Sequence, residues 1–114
     1  MIKIAYDLNP DMTFIRAEGH ADYAEKGKDI VCAMVSVLMQ TLGATMHKRD
    51  PEGTDVYIDE AHGIMQVTRT GMPDKECAAM FEMAADGLWM VAVEYPQNVQ
   101  VYDFTCKQTR AGVD

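Results

Sequence analysis

Apolar and polar residues alternate from the start of the chain. Ile2, Ile4 and Tyr6 are separated by Lys3, Ala5 and Asp7, the two-residue period of a strand with one buried face. Asn9-Pro10-Asp11 reads as a turn, and Met12 to Glu18 returns to strand spacing, so the short connection predicts an antiparallel hairpin. Residues 21–28, ADYAEKGK, lack apolar periodicity and read as a mobile surface loop. From Asp29 the period becomes helical. Asp29 is the expected N-cap, Ile30, Val31 and Cys32 fill the first turn, and Ile30, Met34, Val37, Leu38, Thr41 and Leu42 recur at helical spacing. This helix is predicted to run to about Met46. His47, Lys48 and Arg49 then place positive charge at the negative end of its dipole, ahead of Asp50-Pro51.

The second half repeats the two periods in the same order. Val56 to Ile58 predicts a third strand, Glu60 to Gly63 a tight turn and Ile64 to Arg69 a fourth strand paired with the third. Gly71-Met72-Pro73-Asp74 interrupts the pattern. Cys77, Phe81, Ala84, Leu88, Val91, Ala92 and Tyr95 then mark a second long amphipathic helix that ends at Pro96. Val99 to Cys106 alternates as a last strand. The order ββαββαβ predicts an α+β domain with two long helices on one face of a largely antiparallel sheet. Residues 1–106 form the single expected domain, and 107–114 a flexible polar tail. A symmetric dimer would close an edge or helix face that so small a domain leaves open.

Composition narrows the function. With 114 residues the chain buries a core without needing disulfides or a structural metal. Its net charge of -8 argues against binding nucleic-acid phosphates and suits a basic partner. No stretch reaches the ~18 consecutive apolar residues of a membrane span, and MIKIAYDLNP lacks a secretory signal, so a cytoplasmic protein is expected. Cys32, Cys77 and Cys106 have no CxxC spacing and are expected as free thiols. Those cysteines together with His20, His47 and His62 lack the paired spacings of a zinc site, and no phosphate-binding glycine loop is present. No metal and no cofactor are expected. The ten methionines suggest adaptable core packing.

The residues with chemical potential cluster between Gly19 and Ser36. A cysteine in the first turn of a helix meets unpaired N–H groups and a positive dipole end, which favour thiolate over thiol. His20 lies twelve residues earlier, and the eight loop residues 21–28 between them span up to about 26 Å, so they can return the imidazole to the sulfur. The same spacing also suits an inert cysteine packed on the sheet and a polar histidine at a strand end. Asp29 caps the helix or orients His20. Ser36 lies one turn after Cys32 on the same helical face, where it binds a substrate carbonyl or bonds back to its own helix. Gly19 and Gly27 would let a loop hinge and bring N–H groups near an oxyanion. A redox sensor would need a resolving cysteine, and none lies next to Cys32 in sequence.

The stretch GHADYAEKGKDIVCAMVSVL, from Gly19 to Leu38, resembles the ribosomal-processing cysteine protease family, also called Prp or YsxB-like. The glycine-histidine, the tyrosine-alanine, the later glycine and the DIVC with its following alanine and serine are in register with the family pattern. The resemblance implies a homodimeric endopeptidase that removes a short N-terminal extension from the large-subunit ribosomal protein L-twenty-seven. It implies Cys32 as nucleophile, His20 as general base, Asp29 and Ser36 as members of the site, and a loop from Ala21 to Lys28 that orders over the peptide. The alternative class is a non-enzymatic ribosome-associated module that holds the peptide without cutting it.

Overall fold

The alternation at the start of the chain becomes β1 (Ile2–Asn9) and β2 (Met12–Glu18), paired antiparallel with Ile4 opposite Ala17 and Tyr6 opposite Ile15. The structure, a computed structural model, describes residues 1–25, 28–71 and 74–105, and the backbone of 108–111. Helix α1 (Ile30–Arg49) follows, then the hairpin β3 (Thr54–Asp59) and β4 (Ile64–Thr70), helix α2 (Lys75–Glu94), β5 (Val99–Asp103) and β6 (Gln108–Ala111). The sheet order is β3-β4-β2-β1-β5-β6, with β1 and β5 parallel and every other pair antiparallel. The expected order ββαββαβ is present, with one strand added.

That addition corrects the reading of the tail. Gln108–Ala111 pairs antiparallel with β5, from Gln100 opposite Ala111 to Asp103 opposite Gln108. Its residues carry no alternating apolar signal; the backbone pairing covers an otherwise open sheet edge.

Both helices pack on one sheet face, where Ile4, Ile15, Val67 and Val101 meet Val31 and Met39 of α1 and Phe81 and Leu88 of α2 in a single apolar cluster. The α2 face matches its sequence period: Cys77, Phe81, Ala84, Leu88, Val91 and Ala92 are all buried. The two helices touch closely at Gly87, where a Cβ would stand 3.0 Å from Leu38 Cδ2.

The α1 face departs from expectation. Its buried residues are Val31, Val35, Met39, Leu42, Gly43 and Met46, while Ile30 and Val37 are 50% and 64% exposed. No charged residue occurs between Ile30 and Met46, so apolar side chains fall on every side and periodicity cannot select the buried one. The helix also continues past Met46 to Arg49, where Arg49 pairs with Glu76 of α2. By length and apolarity α1 would suit a bilayer, but Val31, Val35, Met39, Leu42 and Met46 pack into the core.

Candidate active site

Strand β2 ends at Glu18, and the chain turns at Gly19 with φ +99°, a backbone region that disfavours any Cβ. A Cβ there would also stand 2.6 Å from the Met1 carbonyl oxygen, so this turn needs glycine twice over. The Gly19 N–H donates to the Gly63 carbonyl at 3.0 Å, which joins the end of β2 to the β3–β4 turn. His20 follows and is exposed. Its ring lies against that turn, with Nε2 3.3 Å from the place a Gly63 Cβ would occupy.

Cys32 sits in the first turn of α1 and is half-buried. It and His20 line one cavity of about 870 Å³ between α1 and the β3–β4 hairpin. Gly19, Ser36 and Gly63 share that lining, and Met39 and Met65 contribute apolar surface. Ser36 is exposed on the turn after Cys32. Among the described contacts, the His20 ring makes no hydrogen bond to the thiol. The sulfur instead accepts the main-chain N–H of Ala21 at 3.3 Å.

Asp29 caps α1. Its Oδ1 accepts the N–H groups of Val31 and Cys32, each at 3.0 Å, and its Oδ2 accepts Tyr23 N–H at 3.1 Å. Burial raises this carboxyl, but the N–H groups of Cys32, Tyr23 and Ala24 outweigh it and hold it below the usual carboxylate value. These bonds give Asp29 a capping role and tie the loop to the helix; among the described contacts none reaches His20. Gly27 and Cys106 lie outside the described residues.

Two features of the site differ from the sequence reading. Three helix-start N–H groups are already engaged: Val31 and Cys32 by the Asp29 carboxylate, and Ala33 by the Asp29 carbonyl at 3.1 Å. The thiol is also not acidified in this conformation. Burial pushes it up, the Ala21 N–H pulls it back, and the nearby charges of Asp29 and Asp22 push it up further. A helix start activates a thiol only where its N–H groups and dipole are not neutralised by the cap.

The residues after His20 are anchored rather than free. Ala21 is buried, its carbonyl accepts Asn98 Nδ2 at 2.9 Å, and the Tyr23 ring meets Tyr95 edge-on at 5.4 Å. Neither Asn98 nor the hairpin wall around Gly63 carried a sequence signal toward the site, because both are remote in sequence and neither is a motif residue.

A family model described as cysteine protease Prp matches residues 1–100. The chain belongs to the Prp family of cysteine proteases. The family places it among peptide-bond hydrolases, not among non-enzymatic binding modules. The ribosomal processing cysteine protease Prp of Mycoplasma genitalium is 58% identical over 101 residues, covering 89% of this chain and 94% of that one. Among solved structures, the chain is similar to a ribosomal processing protease Prp from S. aureus in complex with a covalently linked product peptide. That match has a TM-score of 0.80 at 23% identity and covers 90% of this chain and 99% of the other. The same protease in complex with a substrate peptide gives a TM-score of 0.75 at 22% identity, with the same coverage. The Prp fold is therefore the two-helix, mostly antiparallel α+β arrangement described above.

Proposed function

We propose that this Prp-family protease removes the N-terminal extension of the large-subunit ribosomal protein L-twenty-seven, with Cys32 as nucleophile and His20 as its proton acceptor and donor. The observation that supports the assignment of residues is that His20 and Cys32 line one cavity of about 870 Å³. The relatives' names, which specify ribosomal processing, support the substrate class. Asp55, Asp59 and Glu60 on the cleft lining and the net charge of -8 suit a basic ribosomal segment and not a nucleic-acid partner.

In this mechanism peptide binding brings the His20 imidazole from the Gly63 turn toward the sulfur. His20 takes the thiol proton, and the thiolate attacks the scissile carbonyl. Protonated His20 then donates to the leaving amine, and water hydrolyses the thioester. Ser36 lies within the cleft to meet the bound peptide. A peptide carrying the precursor's N-terminus is cut by the wild type, and Cys32→Ala and His20→Ala each lower kcat by about 10³-fold or more. Cleavage by Cys32→Ala at the wild-type rate would remove the nucleophile assignment.

The protein acts in the cytoplasm as a homodimer on this reading. Ile30 and Val37 of α1 and Met83 and Met90 of α2 are exposed on the helix layer's outer side. Two helices of 20 residues side by side offer a face about 30 Å long on which a second copy can pack. Light scattering then gives twice the 12.7 kDa chain mass, and Val37→Glu gives the single-chain mass. A wild type of single-chain mass at micromolar concentration contradicts the dimer.

A further inference from the structure

We propose that the main-chain N–H of Ala21 is the hydrogen-bond donor for the Cys32 thiolate and for the oxyanion formed on attack, and that Asn98 is the positioning residue that aims it. This rests on Cys32 being the nucleophile.

Three N–H groups at the helix start, those nearest the thiol along the chain, are engaged elsewhere. The N–H groups of Val31, Cys32 and Ala33 are all taken by Asp29, through its carboxylate and its carbonyl. The Ala21 N–H, from outside the helix, points at the sulfur, 3.3 Å away. Ala21 is 1% exposed, so the residue that carries this donor is packed rather than loose. Asn98 Nδ2 holds the Ala21 carbonyl, in the following peptide unit, at 2.9 Å, while the carbonyl of the donor's own unit, that of His20, accepts from the Met1 ammonium. Asn98 is in turn fixed by its own backbone: its N–H donates to Tyr95 at the end of α2 at 3.0 Å, and its carbonyl accepts Ile2 N–H of β1 at 2.8 Å. The donor at the sulfur is thus aimed from α2 and β1, across 77 residues of sequence.

The chemistry needs a donor in this place. On attack the Sγ–C bond forms and the carbonyl π pair moves onto oxygen, so the negative charge passes from sulfur to an oxygen on the same carbon. A fixed N–H that reaches the sulfur before attack reaches that oxygen afterwards with a small shift, and a preorganised donor costs little reorganisation. Collapse of the intermediate reforms the C=O, breaks the C–N bond and leaves the thioester, with the amine taking its proton from His20.

Three variants test this in the full chain. Replacing Ala21 by lactic acid changes its N–H to an ester oxygen and leaves the side chain unaltered. Asn98→Ala removes the side-chain donor, and Asn98→Leu removes it while keeping the volume. The ester variant is expected to lose about 100-fold in kcat with KM within about two-fold. The Asn98 variants are expected to lose about ten-fold. In all three, the pH profile of Cys32 alkylation moves to higher pH, a shift that a merely structural role would not produce. Wild-type kcat and an unmoved alkylation profile in the ester variant would overturn the donor assignment. Loss in the ester variant with wild-type behaviour in both Asn98 variants would overturn the role of Asn98. Full activity of Cys32→Ala, by contrast, would remove the nucleophile assignment on which the inference stands.

Discussion

Asp29 separates two accounts of the site by orders of magnitude. Its carboxylate accepts the main-chain N–H groups of Val31 and Cys32 at the start of α1 and of Tyr23 in the loop. Removing an N-cap costs about 1 kcal/mol, and the half-exposed charge-assisted bond to Tyr23 adds about another. Asp29→Ala is therefore expected to lose about 2 kcal/mol, or about 8 °C in melting midpoint for a domain of this size. Asp29→Asn keeps an acceptor at the cap and should lose less than about 0.5 kcal/mol. If capping is the whole role, the Asn variant cleaves within about ten-fold of wild type, and its Cys32 thiol reacts faster because a neighbouring negative charge has gone. If Asp29 orients His20 in the closed complex, the Asn variant instead loses about 10⁴ in kcat while staying folded. Thermal melts, peptide cleavage and iodoacetamide alkylation on the same preparations decide the matter. A folded Asp29→Asn protein with kcat down by about 10⁴ would refute the capping account.

Gly19→Ala should cost about 3 kcal/mol, of which about 1–2 is the left-handed backbone and the rest the separation of Cβ from the Met1 carbonyl oxygen; urea midpoints and cleavage should fall together, because His20 is the next residue. Arg69 Nε donates to Asp50 Oδ2 at 2.6 Å where both side chains are mostly covered, so Arg69→Ala should cost about 2 kcal/mol by loosening the α1 C-terminus from β4, with cleavage rates little changed below the melting range. Cys32 alkylation in the free enzyme should still be rising at pH 9, its thiol being raised above that ordinary value, and Asp22→Asn should speed it at pH 8; a plateau near neutral pH would show an activated resting thiolate instead. The raised thiols of Cys32 and Cys77 keep their protons after the unfolded chain has lost them, so stability should fall as pH rises above 9. The lowered carboxyls of Asp29, Asp59 and Asp74 work in the other direction, and the stability they add is lost as pH falls below 3.8. Urea midpoints across the pH range measure both limits.

The strands and α2 were legible because each shows one face to the core and one to solvent. Ile2, Ile4 and Tyr6 are buried in alternation, and Cys77, Phe81, Ala84 and Leu88 follow the helical turn. α1 was legible as a helix but not in its orientation, since Ile30 and Val37 are as apolar as Val31 and Val35 yet point outward. β6 was not legible, because Gln108–Ala111 joins the sheet through main-chain bonds that any side chains permit. The same contrast divides the site. His20, Cys32, Asp29 and Ser36 carry their chemistry in their side chains and lie close in sequence. The cleft's second wall at Gly63, the Ala21 N–H and its support from Asn98 arise only when the chain folds back on itself. Local spacing also suggested a helix end that acidifies Cys32, whereas the Asp29 cap that builds this helix end takes up the N–H groups that would have done so.

The most direct test of the account is covalent capture. A chloromethyl ketone built on the unprimed side of the precursor's cleavage segment, incubated with the full chain and followed by peptide mass mapping, should leave a single adduct on Cys32. Labelling should be slowed by His20→Ala and prevented by excess uncleaved peptide. An adduct on Cys77, or cleavage of the peptide by a chain whose Cys32 is fully blocked, would contradict the assignment of the site.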